Sequence, residues 1–469
     1  MSQGFLSPGN ALSLLWSLAG QEKQALENIT ITNSAVQLPS VYNVGGLACA
    51  AIGAQALAAA EIWRQRTGQS QQIGVDMRRA LAMFRADRYM KVNGQAMGEY
   101  RSPLFGYYPT ADGRWIQLHT NFPQHASGVV QLLGCGQTRD DVAKAISHWN
   151  AAELDAALAA RGLCAAFIRT LDEWNAHPQA AAVAALPLFE ITRVSDADPR
   201  PIGHAQDPAA PLSGVRVLDL SRVIAAPVAG RTLAQHGADV LAIGADHLPN
   251  IMPLVIDTGR GKRSAQLDLR TPDGKASLQH LVDDADVFLQ AYRPDALSSL
   301  GFSAEQMFQR RPGLVYVTLS AYGHMGPWSN RRGFDSLVQS ATGIAWDEGR
   351  EAGLAHPGKL PCQALDYATG FITAFATMVA LQRRAREGGS WRVRVSLAQT
   401  ARWLKSLGRD PRRLNDAELT GAEIAPWLVE QESAFGTVTG VAPVEAMSKT
   451  PPRFRLPPVP LGTHKASWS

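Results

Sequence analysis

The feature that most constrains this chain is a repeat inside it. Residues 41–84 align without gaps onto 361–404, a displacement of 320 positions, with ten of 44 residues identical, among them Arg64/Arg384, Arg66/Arg386, Gly68/Gly388 and Ser70/Ser390. Alanine richness inflates the identities, so the spacing carries the argument. Both segments read as a helix of small residues, a basic last turn, a glycine, and a short β run, QIGVDM in one and RVRVSL in the other. Basic side chains suit a helix C-terminus, and glycine suits the position just beyond it. The alternative is two unrelated helix–glycine–strand units. The copies differ where it matters: the second opens ALDYATG, with Asp366 at the helix start, and the first has Gly46 there, in YNVGGLA.

At roughly 150 residues per domain, 469 residues hold about three domains, or two with long connections. With 46% hydrophobic and 18% charged residues, the chain can bury a sizeable core. A net charge of +4 is too small to argue for nucleic acid. The four cysteines (49, 135, 164 and 362) have no CxxC spacing, so no metal site, thioredoxin-like motif or disulfide scaffold is expected, which favours a reducing cytoplasm. MSQGFLSPGN lacks the basic start of a secretory signal. The apolar run 45–60 falls below the ~20 strongly apolar residues of a membrane span and reads as a buried helix.

The text changes near residue 205. Residues 195–213 hold four prolines and few bulky apolar side chains, a linker. Strand candidates follow at 215–220, 238–244, 285–291 and 313–323, with AQLDL (265–269) another, and helices at 226–237 and from Pro272 to Asp283. Such alternation argues for a parallel α/β sheet with right-handed crossovers. The first strand-to-helix turn, SRVIAAPVAG, lacks the GxGxxG dinucleotide fingerprint. Residues 407–460 are polar, proline-rich and aperiodic, and read as a strap over the surface. The expected units are 1–205, 206–404 and a C-terminal strap at 405–469.

Asp366 is the sharpest chemical candidate. A carboxylate at a helix N-terminus faces unpaired N–H groups and the positive dipole end, which would keep it ionised and able to attack an activated acyl carbon. The plain reading is a helix cap. Thr258–Ser264, TGRGKRS, is a glycine-spaced basic loop whose Arg260, Lys262 and Arg263 suit phosphates, although the P-loop pattern is absent; its plain reading is a solvated turn. AYGHMGP (321–327) and RRGFD (331–335) follow a strand end, where α/β sheets bind ligands. His324 has no visible triad partner. Trp115, Trp174 and Trp346 read as packing residues.

Taken in order, PLSGVRVLDLSRVIAAPVAG, GADVLAI, RGKRSAQLDLRTPDGK, ADVFLQAYRPDALSSLGF, RPGLVYVTLSAYGHMGPWSNRRGFDSLVQSATG and ALDYATG resemble the family III CoA-transferases, the formyl-CoA and carnitine CoA-transferase (CaiB/BaiF) group that includes α-methylacyl-CoA racemases. The resemblance is continuous over about 211–404. Segment 38–205 resembles the family's later part, with YYPTADGRWIQL (107–118) in the form of its small domain, and RLPPVPLGTH (455–464) resembles its C-terminus. The order looks shuffled: a rear portion with Gly46 for the aspartate, then a front portion with Asp366, then a shortened rear portion. The first half would supply the small domain to the second.

The resemblance implies an α/β fold, a Rossmann-like parallel sheet with flanking helices plus a smaller α+β domain. It also implies Asp366 as nucleophile, forming a mixed anhydride and then an enzyme–CoA thioester, with Asp335 nearby. Val223, Ala225, Lys262, Arg263, Ala291, Tyr292 and Arg332 match family positions around CoA. No permanently bound cofactor is implied; coenzyme A thioester is substrate, a free carboxylate is acceptor, and neither nucleic acid nor membrane is a partner. Family members are homodimers, often interlocked. Gly244, Ala245, Ala291 and Ser299 depart from the family's CoA clamp, which leaves a non-catalytic CoA-binding duplicate or partner subunit as the alternative. The racemases carry a histidine where this chain has Phe334, and proton return at an α-carbon needs two acid–base groups, so racemisation is disfavoured.

Overall fold

The computed structural model describes residues 4–98, 101–203 and 210–469. The expected boundary at 205/206 and part of the 195–213 linker lie outside the described residues. The protein is mixed α/β, organised on a seven-stranded sheet. Six strands are parallel: Arg216–Leu220, Asp239–Gly244, Arg263–Gln266, Val287–Gln290, Val315–Ser320 and Ser390–Ser396. Their spatial order is third, second, first, fourth, fifth, sixth, and Phe189–Ser195 joins antiparallel beside the sixth. Helices cover the sheet, so its central strands are buried on both faces, as the all-buried Val287–Gln290 shows. The helix at Pro272–Asp283 forms where expected, with the Thr271 hydroxyl accepting from the Gly274 N–H at 3.1 Å. The strand expected at 265–269 starts two residues earlier, at Arg263.

The repeat is structural. Val44–Thr67 and Ala364–Glu387 are both 24-residue helices, displaced by 320 positions and packed against each other, with Gln382 Nε2 donating to the Ala58 carbonyl at 3.1 Å. Small residues along both let the backbones approach. Each helix ends at a glycine with positive φ, +76° at Gly68 and +68° at Gly388. The likeness extends to the sheets. Ser390–Ser396 lies between parallel Val315–Ser320 and antiparallel Phe189–Ser195; Ile73–Asp76 lies between parallel Ile29–Thr32 and antiparallel Ala446–Met447. The first copy is therefore a three-stranded counterpart of one edge of the large sheet. Both long helices are apolar enough to cross a membrane by length and composition, and both are core helices, 94% and 100% buried over their most apolar stretch.

A smaller α+β unit stands apart from this core. Strands Gly106–Pro109, Trp115–Leu118 and Ala165–Phe167 form an antiparallel sheet, and helices Pro123–Leu133, Arg139–Ile146 and Ala151–Ala160 close over Tyr108, Ile116, Leu118, Val129, Val142 and Leu154. It is fixed to the α/β half by Arg331, which pairs with Asp155 and donates to the Ala165 carbonyl, and by the Ser340 hydroxyl on Gln117 Oε1 at 2.6 Å.

The C-terminal region differs from the expected strap. Leu428–Ser433 and Gly436–Val441 form a β-hairpin that pairs with Lys91–Val92 of the first half. Ala446–Met447 then joins the first copy's three-stranded sheet, and the end of the tail runs along the large sheet's edge, where His464 N–H donates to the Ser264 carbonyl at 2.7 Å.

Candidate active site

Asp366 sits in the first turn of the Ala364–Glu387 helix, 7% exposed. Its backbone N–H donates to Asp335 Oδ2 at 2.9 Å. Asp335 opens the helix Asp335–Ala341, and its other oxygen accepts from the Gln339 amide; Gln339 Oε1 in turn accepts from the Leu360 N–H at 2.9 Å. Sequence reasoning brought Asp366 and Asp335 to one place, and the structure does so. It differs on charge. Burial, then Asp335, then Asp87 raise the Asp366 carboxyl well above the ordinary carboxylate range, against the pull of the helix N-terminus. Burial raises Asp335 as well. Two carboxyls in one buried site resist ionising together.

Two cavities meet at Asp366. The first, about 420 Å³, lies between the small unit and the α/β half; Phe105, Trp115 and His119 line one wall and Phe334, Asp335 and Asp366 the other. The second, about 440 Å³, opens where the first and fourth parallel strands end. The turns that leave those strands, Ser221–Arg222–Val223 and Ala291–Tyr292–Arg293, line it together with Ala225, Arg332 and Asp366. Val223 lines both and has φ +77°, a costly left-handed conformation for a β-branched residue, held by the tight strand-to-helix turn.

Five residues proposed for CoA, Val223, Ala225, Ala291, Tyr292 and Arg332, thus share one cavity. Lys262 and Arg263 do not line it. They line a separate space of about 80 Å³ with Asp219. The basic loop has fewer open cations than its sequence suggests. Lys262 is buried, its Nζ bonded to Asp219 Oδ2 at 2.7 Å and to the Pro227 carbonyl at 2.8 Å. Arg260 is buried on Asp257 at 2.6 Å, shared with Arg231 at 2.7 Å, and stacks on Phe454 of the tail. Gly261, at φ +82°, donates its N–H to the Leu456 carbonyl at 2.8 Å, so the glycine serves the tail's close approach.

The other glycine-rich loop is also tied down. Gln179 Nε2 donates to the Tyr322 and Met325 carbonyls at 2.9 and 2.8 Å, and its Oε1 accepts from Trp328 N–H at 2.7 Å. His324 is held at 2.9 Å from the Thr318 hydroxyl, its proton affinity lowered to about 3 by burial and nearby arginines.

Sequence reasoning missed Arg222. Its guanidinium lies over the Phe122 ring, 5.3 Å from the centroid, near Tyr292, and its buried Nε and Nη2 have no hydrogen-bond partner among the described residues. Its place in the first strand-to-helix turn was the available signal. His119, missed too, stacks flat on Phe334 with centroids 3.8 Å apart.

The corresponding position of the first copy is closed. Asn43 Oδ1 accepts from the Gly46 N–H at 2.8 Å, and Asn43 Nδ2 donates to the Leu6 carbonyl at 2.8 Å. A Cβ on Gly46 would lie 2.6 Å from Asn43 Nδ2.

Comparison with known proteins agrees. The sequence model described as CoA-transferase family III matches residues 19–199 and 212–408, so the chain belongs to that family. It is 30% identical over 330 residues to an acetyl-coenzyme A transferase of Hypoxylon pulicicidum, covering 66% of this chain and 55% of that one. It is 32% identical over 245 residues to a succinate–glutarate CoA-transferase of Agrobacterium fabrum, covering 46% of this chain and 60% of that one. Among solved structures it is similar to a CaiB/BaiF family protein of Brucella suis, at 26% identity and TM-score 0.36, covering 49% and 65%. The chain spans about half the length of the curated relatives it matches.

Proposed function

We propose that this chain transfers CoA from an acyl-CoA to a free carboxylate, with Asp366 as nucleophile. The observation that carries this is the position of Asp366 at the junction of the two cavities. The strand order, third, second, first, fourth, fifth, sixth, supports reading the sheet as doubly wound and Rossmann-like, with a ligand crevice where strand progression reverses, between the first and fourth strands. CoA would occupy that crevice and the acyl group the cavity under the small unit. Arg222 and Arg332 would meet the phosphates or pantetheine amides, as charge-assisted donors.

A carboxylate oxygen of Asp366 attacks the thioester carbon, the C–S bond breaks, and CoA leaves as thiolate from a mixed anhydride. The thiolate attacks the Asp366 carbonyl carbon, expelling the acyl group as a carboxylate and leaving an Asp366–CoA thioester. The acceptor carboxylate attacks this thioester, and the thiolate then takes the acceptor's acyl carbon, restoring Asp366. Burial and the Asp335 and Asp87 carboxyls favour the neutral form of Asp366, so loss of its proton favours the first attack. Phe334 has no proton to give, which supports transfer over racemisation. Both walls of the acyl cavity come from this chain.

The test is mass spectrometry after incubation with acyl-CoAs and then hydroxylamine. A hydroxamate on the Asp366 peptide, lost in Asp366→Ala, is the expected result. CoA binding with Asp366 never modified would instead support a non-catalytic duplicate.

A further inference from the structure

Asp366 has a polar neighbour at the start of its own helix that the fold leaves unused. Three glutamines, Gln117, Gln339 and Gln363, line the cavity under the small unit. Two are engaged within the protein. Gln117 Oε1 accepts from the Ser340 hydroxyl at 2.6 Å, and Gln339 joins Asp335 to the Leu360 N–H. Gln363 differs. Its Oε1 is buried without a partner, and its carboxamide makes no hydrogen bond among the described residues. A polar group left so in the lining of a ligand-sized cavity marks a bond that a ligand supplies.

The repeat shows what this residue has been released from. Gln363 stands where the first copy has Asn43, 320 positions earlier, and each is the N-cap of its 24-residue helix. An N-cap side chain ordinarily serves the N–H of the second or third helical residue. In the first copy the third residue is Gly46, and Asn43 Oδ1 accepts its N–H at 2.8 Å. In the second it is Asp366, and Asp335 Oδ2 takes that N–H at 2.9 Å. Asp335 does the capping, so the Gln363 amide is spared. Its side chain is one methylene longer than that of Asn43, and Asp366 follows it by three residues, the spacing of neighbours on one helix face.

Resting on the transferase reading above, we infer that Gln363 is a catalytic residue whose Nε2 donates to the acyl carbonyl oxygen as the tetrahedral carbon forms beside Asp366. When a carboxylate oxygen of Asp366 adds to the thioester carbon, the π electrons of the carbonyl move onto its oxygen. Their return re-forms the carbonyl and expels the CoA thiolate. The amide neither gives up nor takes a proton. Its bond strengthens as charge gathers on the oxygen, so it favours the transition state over the bound thioester. The Asp366 N–H cannot serve, because Asp335 already holds it. A neutral donor also suits the place, since a cation there would pair with the attacking carboxylate and weaken it as a nucleophile.

The test reads the contact and the rate separately, on the whole protein. The contact probe is a thioether analogue of acetyl-CoA with a methylene between sulfur and a carbon-13 carbonyl, which binds and cannot be cleaved. Its carbonyl stretch should lie at lower frequency on the wild type than on Gln363→Leu or Gln363→Met. The rate probe is hydroxylamine trapping at Asp366 in a single turnover with acetyl-CoA and succinyl-CoA. Both variants should label about a hundredfold more slowly, with the affinity for free CoA and the thermal midpoint unchanged. Gln363→Glu, which keeps the length and offers no donor when ionised, should be at least as slow. Carbonyl bands that coincide in the three proteins, wild-type labelling by Gln363→Glu, or labelling slowed in only one of the two apolar variants overturns the assignment. If neither thioester labels Asp366 in the wild type, the transferase reading loses its support, and the carbonyl band still decides the Gln363 contact.

Discussion

Gly46→Ala offers a test in which helix propensity and packing predict opposite signs. Alanine in a helix is ordinarily more stable than glycine by about 0.5–1 kcal/mol. Here the new methyl would lie 2.6 and 2.7 Å from the two terminal atoms of Asn43. Asn43 must move, and it caps the helix through Oδ1 while its Nδ2 serves the Leu6 carbonyl. Losing the cap costs about 1 kcal/mol, and leaving the Leu6 carbonyl without its donor costs about 1 kcal/mol more. Set against the propensity gain, Gly46→Ala should destabilise by about 1–1.5 kcal/mol. In an Asn43→Ala background the clash is gone, and the same substitution should be neutral or stabilising, giving a coupling of roughly 2 kcal/mol. Urea denaturation of the four proteins of the cycle, followed by far-ultraviolet circular dichroism, measures this. A stabilising Gly46→Ala with Asn43 intact would refute the reasoning and show the first copy's site to be open.

Other perturbations give separable results. Arg222→Ala should weaken binding of a CoA thioester about tenfold by titration calorimetry, with little change in stability, because its Nε and Nη2 have no hydrogen-bond partner among the described residues. Lys262→Met should leave Asp219 buried without its cation and destabilise by about 3–5 kcal/mol, visible as a lowered thermal midpoint. Glu348, bonded to the Ser40 hydroxyl, has its proton affinity raised from 4.5 to about 7, chiefly by burial. A raised carboxyl stabilises the fold fully below pH 4.5 and loses that contribution as pH rises through 7. Glu348→Gln should therefore remove about 3 kcal/mol of the stability decline between pH 5 and pH 8, and an unchanged pH profile would count against the assignment.

Much of the fold was legible because parallel strands buried on both faces write themselves as apolar runs. VRVLDL and VFLQ could be little else, and Pro272 at a helix start is a strong punctuation mark. The repeat was legible because helix ends need glycine and favour basic residues, which fixed the 320-residue displacement. The hairpin at 428–441 was not, because its strands alternate half-exposed polar residues and pair with Lys91–Val92, far away in sequence. At the site, pattern singled out Asp366 and the family resemblance added Asp335, but the raised proton affinity of both was not legible, since burial depends on three distant segments meeting. The basic loop misled for the same reason. Lysine and arginine beside glycine suggest a phosphate, and only the fold reveals that Asp219 and Asp257 already hold Lys262 and Arg260. Arg222 escaped notice because one arginine in a turn carries no spacing signal.

The two walls of the acyl cavity have a consequence for how the protein is made. His119 leaves the ribosome well before Asp366, and at roughly 5–20 residues per second the interval is on the order of ten to fifty seconds. For that time the small unit presents Phe105, His119 and Phe122 with nothing to cover them. A nascent chain at this stage exposes an aromatic surface meant for an interior and is a natural client for a chaperone. A product cut short before residue 335 would have the wall and no Asp366, and one begun after residue 140 Asp366 and no wall. Neither would hold the proposed site alone, but each retains the face that the other was built to cover.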